Sequence, residues 1–241
     1  MRSACGILLL VPVIAAWSTS AAAYRPFDST DPAVADVGDV EVEVSPVSFR
    51  HQRPGEVWIA PQLRLNYGFA ENWEVVLEGQ AEHTRAARSV LIENALSLKA
   101  ILREGSLQDR AGLSVATELG LLLPGVNEQQ GFGASLAAIA GQRWDWGAIH
   151  VNLAVSLSRE NRGEVFFGTI IEGPSRWTVR PVAELVYQRE FGIGEEAALL
   201  VGAIWQVKDN LAFDVAVRQA QVNASPETEI RAGVTFAFSL R

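Results

Sequence analysis

Cysteine, lysine and long apolar runs are all scarce in this 241-residue sequence, and each shortage excludes a class of protein. The single cysteine, Cys5, lies in a segment that we predict to be removed. The mature chain then has no disulfide, no thiol nucleophile and no cysteine metal site. The longest apolar stretch, Ile7–Ala16, has about half of the roughly 20 residues that a spanning helix needs, and it contains Pro12. The shortage of long apolar runs argues against a helical membrane protein.

The first 23 residues have the pattern of an export signal. Arg2 gives a positive start, Ile7–Ala16 forms the apolar region, and Ala21–Ala23 is a small-residue cleavage site. Cys5 precedes the apolar region, so it cannot be a lipoprotein anchor. We therefore predict a mature chain that begins at Tyr24.

Acidic residues outnumber basic ones, and the formal net charge is −8. Such a chain is a poor partner for nucleic acid, whose phosphates attract basic proteins. Lys99 and Lys208 are the only lysines, so nearly all positive charge is on arginine, which tolerates fixed, paired positions well. Three dispersed histidines make a metal site improbable, and no glycine-rich phosphate loop is present, so we predict no cofactor.

After the first forty residues, apolar and polar residues alternate with period two in runs of about ten. In one run, Val151 and Leu153 alternate with His150 and Asn152. A bulge at Ser45-Pro46 is needed to keep the pattern of the first run. The runs predict twelve strands, near 40–51, 57–68, 73–83, 90–103, 110–123, 131–143, 147–158, 164–172, 176–188, 196–207, 210–220 and 228–240.

The predicted connections alternate in length. Those after even-numbered strands include tight turns at 70–72, 145–146, 173–175 and 208–210. The others are longer and polar, as at 124–130, 159–163, 189–195 and 221–227. Short periplasmic turns and longer external loops are typical of outer-membrane barrels.

Tryptophan follows the same division. Five of the six mature tryptophans lie beside the short turns, namely Trp73, Trp144, Trp146, Trp177 and Trp205. Because an indole prefers the boundary between lipid and water, these residues predict an aromatic girdle and apolar side chains that face lipid. A soluble β-sandwich or a lipocalin-like barrel would also alternate and is the alternative, since periodicity does not reveal which face points outward.

We therefore predict an all-β protein, an antiparallel up-and-down transmembrane β-barrel of about 12 strands in the outer membrane of a Gram-negative bacterium. The chain divides into a signal peptide (1–23), an N-terminal segment (24–39) and the barrel (40–241). The segment is long enough either to enter the barrel as a plug or to hang in the periplasm, and the sequence leaves both open. Outer-membrane lipid and the barrel-insertion machinery are the expected partners.

Several stretches resemble the outer-membrane barrels named as transporters of the meta-pathway of phenol degradation. They are "RPFDSTDPAVADVGDVEVEV", "PQLRLNYGFAENWEVVLEG", "ENALSLKAIL", "HVNLAVS", "RPVAELVYQ", "LAFDVAVR" and "TEIRAGVTFAF". The resemblance implies a barrel of twelve or so strands and passive movement of small molecules, apolar or aromatic ones among them. One departure is that Phe238 is followed by Ser239-Leu240-Arg241, whereas such barrels usually finish on the aromatic residue.

The charged face of the predicted strands is the candidate functional site. If it points inward, it lines the lumen with residues that either set ion selectivity or form ion pairs that brace a narrow barrel. The predicted lumen residues are Arg64, Glu74, Glu78, Lys99, Glu118, Asn152, Arg180, Glu184, Asp214, Arg218, Glu229 and Arg231.

Three functions follow from this reading. The first is an outer-membrane channel or passive transporter for small molecules. The second is a structural or surface-interaction barrel with a blocked lumen. The third is an outer-membrane hydrolase, which we do not favour because a serine nucleophile needs a nearby histidine. None of His51, His83 and His150 has a serine two residues away on the same face, so a His–Ser pair would have to form across strands. We predict that the protein is not an enzyme.

Overall fold

The computed structural model describes residues 25–52, 55–84 and 89–240. The predicted signal peptide lies outside the described residues. Within the described ranges, no helix is long and apolar enough to cross a membrane. The strands are β1 Asp39–Ser45, β2 Ser48–Gln52, β3 Gly55–Ala70, β4 Trp73–Thr84, β5 Val90–Arg103, β6 Ser114–Leu122, β7 Gly133–Trp144, β8 Gly147–Leu157, β9 Gly163–Glu172, β10 Val179–Glu190, β11 Gly194–Lys208, β12 Leu211–Val222 and β13 Ser225–Ser239.

These strands close into a twelve-stranded antiparallel barrel, because β1 and β2 share one position in the sheet. Each strand from β3 to β13 pairs with its sequence neighbours. The last strand, β13, then pairs with β1 through Val234–Ser239 and with β2 through Glu227–Ile230. Closure leaves no strand edge, so the backbone groups of the wall are satisfied without water. The predicted fold class is confirmed.

The division between β1 and β2 lies where the sequence pattern requires a bulge. Proline at position 46 has no N–H for a ladder, and the strand is interrupted at Pro46-Val47. Ser45 and Ser48 are both buried, although an uninterrupted strand would place residues three apart on opposite faces. Their hydroxyl oxygens lie 2.9 Å apart. The interruption therefore keeps the charged face of this strand pointing inward along its whole length.

Apolar side chains face outward around the wall. Leu153, Leu185 and Val215 are 56, 57 and 54% exposed, whereas Glu184 and Asp214, beside two of them in sequence, are 1 and 6% exposed. A water-soluble barrel or sandwich would have the opposite arrangement, so the soluble alternative is excluded. The apolar outer wall is the surface that lipid covers.

Tryptophans lie at one end of the barrel, beside the short turns. All five predicted girdle residues are 41–55% exposed. The indoles of Trp144 and Trp146 stack with ring centroids 5.2 Å apart, and Trp205 contacts Phe213 at 6.1 Å. We call this end the periplasmic end, because most of its turns are short, and the first strand begins and the last strand ends there, at Asp39 and Ser239.

The predicted difference in loop length is wrong in three places. β12 and β13 are joined by a two-residue turn, Asn223-Ala224, whose φ angles of 49° and 64° are typical of a type I′ hairpin. β10 and β11 are joined by three residues, of which Gly192 has a φ of 85°. Conversely, the periplasmic connection 104–113 is long and contains a short 3₁₀ helix, Ser106–Gln108.

Candidate functional site: an occupied lumen

Residues 25–38, which we call the N-terminal segment, lie inside the barrel. The segment is irregular, with turns and bends but without strand ladders. It leaves the wall at Gly38, whose N–H donates to the Gly68 carbonyl at 2.7 Å, and it extends to Arg25, whose Nε lies 3.4 Å from the Asp214 carboxylate. Because the segment forms no ladder, its buried polar groups need side-chain partners from the wall.

Glu184 and Asn152 hold the main chain at the middle of the segment. One Glu184 carboxylate oxygen accepts the N–H of Asp28 at 2.8 Å, and the other accepts the N–H of Ser29 at 2.7 Å. The Asn152 amide accepts the N–H of Thr30 at 3.2 Å and donates to the Thr30 carbonyl at 2.7 Å. Two side chains therefore satisfy four main-chain groups of three consecutive residues.

Three further side chains extend this pattern in both directions. Glu74 accepts the N–H of Ala35 at 2.8 Å. Gln108, in the periplasmic 3₁₀ helix, donates to the Pro32 carbonyl at 3.2 Å. Arg231 donates to the Pro26 carbonyl at 2.9 Å. Seven main-chain groups of the segment are thus bound by five side chains from different strands and one turn.

The charged side chains of the segment are paired as well. Asp28 accepts from Arg218 at 2.8 Å and lies 2.7 Å from Arg231. Burial by itself would raise the pKa of Asp28, but the two guanidinium groups outweigh it and lower that pKa to about 2. Arg25 donates to Gln62 at 3.0 Å, in addition to its pairing with Asp214.

The segment also has an apolar contact with the wall. Phe27 packs against a buried cluster formed by Val182, Ile204 and Ala212. These residues show that the inner face of β10–β12 is partly apolar, which the sequence reading missed. In β11, apolar residues occur on both faces, so alternation gives no direction there.

The segment separates two cavities, and no residue lines both. The inner cavity, at the periplasmic end, has a volume of about 720 Å³ and is lined by segment residues from Asp31 to Val37. The outer cavity, at the opposite end, has a volume of about 770 Å³ and is lined by segment residues from Arg25 to Thr30. In this conformation the segment stands between the two ends of the lumen.

Negative charge predominates in both cavities. Twelve carboxylates and six guanidinium groups line the outer cavity. Eight carboxylates and two guanidinium groups, with His150, line the inner cavity. Since a confined space bounded by lipid and protein concentrates the field of its walls, both cavities favour cations.

The structure places all twelve predicted lumen residues on the inside of the barrel. Seven of them contact the N-terminal segment: Glu74, Lys99, Asn152, Glu184, Asp214, Arg218 and Arg231. Lys99, which is fully buried, reaches the Thr30 hydroxyl at 3.2 Å, Asp31 at 3.9 Å and Glu74 at 3.6 Å. Most of the predicted lumen residues therefore share one property, which is contact with the N-terminal segment.

The other five predicted residues form ion pairs away from the segment's main chain. In the outer cavity, Arg64 lies 3.3 Å from Glu78 and 3.8 Å from Glu118, and Glu229 lies 2.9 Å from Arg231. Arg180 lies at the inner cavity, 3.8 Å from Glu172.

Sequence reasoning missed Arg50, which is the centre of an ion-pair group in the outer cavity. Its guanidinium lies 3.1 Å from Glu82, 3.4 Å from Glu227 and 3.3 Å from Glu229. The shift of the strand pattern at Pro46 was the signal that could have found it, because counting from the interruption places this arginine on the inner face.

The three histidines occupy different environments. His150 is buried beside Glu172 at 3.2 Å, and His51 is exposed. His83, near the end of β4, contacts Ser89 in the connection that follows this strand, with Nδ1 2.6 Å from the hydroxyl and Nε2 2.8 Å from the Ala60 carbonyl. The expectation that any His–Ser pair forms across strands is therefore wrong. Neither residue lines the inner or the outer cavity. In residues 25–52, 55–84 and 89–240, no group of three His, Cys, Asp or Glu side chains could hold a metal ion.

The solved structures with a similar fold include an outer membrane channel and two porins. An outer membrane channel from Pseudomonas putida F1 matches with a TM-score of 0.63 and 12% identity, over 88% of this chain and 100% of that one. The NanC porin matches with a TM-score of 0.60 and 8% identity, over 82% and 98%. The KdgM porin matches with a TM-score of 0.54 and 13% identity, over 81% and 98%.

The fold is that of an outer-membrane β-barrel. No protein-family model matches the chain, and no curated protein matches it in sequence. At these identities the likeness concerns the fold. The transmembrane wall, the closed sheet and the girdle agree with it, and they locate the protein in the outer membrane of a Gram-negative bacterium.

Proposed function

We propose that this protein is a passive outer-membrane channel that favours small cationic solutes, and that its N-terminal segment closes it in the conformation described. The observation that carries the proposal is the arrangement of the lumen: two acidic cavities, one at each end, are separated by the segment and by the buried wall side chains that bind it, such as Glu74, Lys99 and Glu184. The segment is bound through side chains and not through a strand ladder, so it can leave without disturbing the wall.

The charge of the cavities supports the preference for cations. Carboxylates outnumber guanidinium groups by two to one in the outer cavity and by four to one in the inner cavity. Part of this charge is neutralised within ion pairs such as Arg50 with Glu82. The remaining excess attracts cations and repels anions at both mouths.

The apolar or aromatic permeants that the family resemblance implies stay a prediction. Two apolar clusters of the inner wall are compatible with them. One surrounds Phe27, and the other contains Val186, Ala198 and Ala220 with Phe166 packed against it. Contact with the barrel-insertion machinery likewise stays a prediction.

A structural barrel with a permanently blocked lumen is the second candidate. It is favoured by the burial of the groups that bind the segment, since Glu184, Asp214 and Arg231 are 1, 6 and 9% exposed. Buried ion pairs are costly to separate, because each charge that is left alone loses its partner. If the segment never leaves, the barrel serves as a scaffold.

Planar-bilayer recordings of the refolded protein distinguish the two candidates. The double variant Asp28→Arg/Ala35→Pro displaces the segment and leaves every wall residue intact. It places a third guanidinium beside Arg218 and Arg231, and it removes the N–H that Glu74 accepts. We expect larger and more frequent openings than in the unmodified protein, with a reversal potential on the cation-selective side.

Asp145→Arg is the matched control, because it makes the same change of charge at an exposed position of a periplasmic turn that lines neither the inner nor the outer cavity. It should leave the openings as they are in the unmodified protein. A double variant that conducts no better than this control would support the blocked barrel. An anion-selective reversal potential would contradict the proposed preference for cations.

A further inference from the structure

The N-terminal segment is bound through its main chain as well as through its side chains. Seven of its main-chain groups are paired with wall side chains, whereas two of its charged side chains, Arg25 and Asp28, have fixed partners in the wall. Main-chain N–H and carbonyl groups occur in every peptide. A wall that recognises them therefore accepts a range of sequences, except proline where an N–H is bound.

The side-chain contacts define three subsites beside this main-chain site. Asp214 and Gln62 bind a cationic residue, here Arg25. Val182, Ile204 and Ala212 accept an aromatic residue, here Phe27. Arg218 and Arg231 bind an acidic residue, here Asp28. A cation, an aromatic ring and a carboxylate at this spacing form the chemical pattern that the wall matches.

From this arrangement we propose that the lumen is a peptide-binding site, and that the N-terminal segment is its tethered occupant. The ligand class is a short, irregularly folded oligopeptide that carries a cationic residue, an aromatic residue two positions later and an acidic residue directly after it. The inference rests on the proposed channel function, because a peptide reaches this site only through the open lumen.

The covalent tether explains how the segment stays bound although the site can exchange it for another peptide. A short covalent connection gives a segment an effective concentration of the order of millimolar at its own site. A free peptide whose affinity equals that of the segment must exceed this concentration to replace it. A peptide of higher affinity replaces the segment at a proportionally lower concentration. Displacing the segment by substitution removes this competition and exposes the site to free peptide.

The test uses the Asp28→Arg/Ala35→Pro protein in detergent and measures the anisotropy of fluorescent peptides. One peptide has the sequence of residues 25–36. A second keeps only the pattern, with Lys, Tyr and Glu at the positions of Arg25, Phe27 and Asp28 and other residues elsewhere. A third has the first sequence with N-methyl groups at the positions of 28, 29 and 30, which removes the three N–H donors that Glu184 and Asn152 accept.

We expect the first two peptides to bind with affinities within about tenfold of each other, and the N-methylated peptide to bind at least about tenfold more weakly. Adding Glu184→Gln to the protein should weaken the binding of the first two peptides and leave the binding of the third nearly unchanged. Binding of the first peptide alone would overturn the proposal, because the site would then recognise its own segment and no peptide class. Equal binding of the first and third peptides, or no binding at all, would overturn it as well.

Conductance separates this inference from the proposed function. Peptide that binds and also lowers the current of the displaced channel supports both. Peptide that binds to a protein that never conducts supports the peptide site and contradicts the channel.

Discussion

Glu184→Gln is the substitution that most sharply tests how the segment is held. The carboxylate accepts two adjacent main-chain N–H groups, one on each oxygen, at 2.8 and 2.7 Å. Glutamine has nearly the same size and shape but only one acceptor oxygen. Its amide N–H₂ group would face one of the two N–H donors, so one donor is left without an acceptor.

The expected cost follows from these contacts. A hydrogen bond to a charged group contributes about 1.5–3 kcal/mol and a neutral one about 0.5–1.5 kcal/mol, so one lost and one weakened bond amount to about 3 kcal/mol. The neighbouring Asp28 carboxylate repels Glu184, and the neutral amide removes that repulsion. We therefore expect a net loss of about 2 kcal/mol, which corresponds to about a 30-fold larger displaced fraction.

Hydrogen exchange measures this fraction directly. In Glu184→Gln, the amides of residues 28–30 should exchange about 30-fold faster, while the strand amides keep their protection. Glu164→Gln is the control, because Glu164 also lines the outer cavity but bonds Gln188 and not the segment. Unchanged exchange at residues 28–30, or an equal rise in the control, would refute the role assigned to Glu184.

Three further predictions concern the wall. Leu153→Arg and Val215→Arg should each lower the free energy of unfolding by about 2–4 kcal/mol in urea titrations from lipid vesicles, because each places a charge near the bilayer midplane; a change below about 0.5 kcal/mol would contradict the outward orientation of these residues. The folded protein should migrate differently on SDS gels before and after boiling, because every strand of a closed barrel is paired; identical migration would contradict closure. Fluorescence of Trp144 and Trp146 should be quenched more by lipids brominated near the headgroup than by lipids brominated at the chain end, and the reverse order would contradict the girdle.

The wall of the barrel could be predicted from the sequence because one physical rule governs most of it. A strand with lipid on one face and a polar lumen on the other must alternate, so a residue such as Leu153 and its neighbour Asn152 point in opposite directions. The tryptophans supplied the direction that alternation lacks. The interruption at Pro46 could also be predicted, because proline has no N–H for the ladder and the alternation of charged residues shifts by one position there.

The occupied lumen could not be predicted in the same way. The N-terminal segment has no periodicity, and its conformation is set by partners that are distant in sequence, such as Glu184 for Ser29 and Arg231 for Pro26. The sequence supplied the list of inward charges but not their common partner. The tight turn Asn223-Ala224 was also missed, because alanine rarely adopts a positive φ and does not mark a hairpin.

The most direct test of the central claim is a disulfide between the N-terminal segment and the wall. A Cβ placed on Gly168 would lie 3.1 Å from the Ser29 Cβ, and a shift of a few tenths of an ångström brings this separation into the range between the Cβ atoms of a disulfide. The predicted mature chain has no other cysteine, so Ser29→Cys/Gly168→Cys gives an unambiguous signal. We expect rapid crosslinking on oxidation, together with loss of channel openings that return on reduction.

The control pair Ser29→Cys/Gly120→Cys should not crosslink, because Gly120 faces Ser135 and Ser97 on another part of the wall. If Ser29→Cys/Gly168→Cys crosslinks no faster than this control, the segment does not occupy the lumen. If it crosslinks and the openings persist unchanged, the segment is present but does not close the channel.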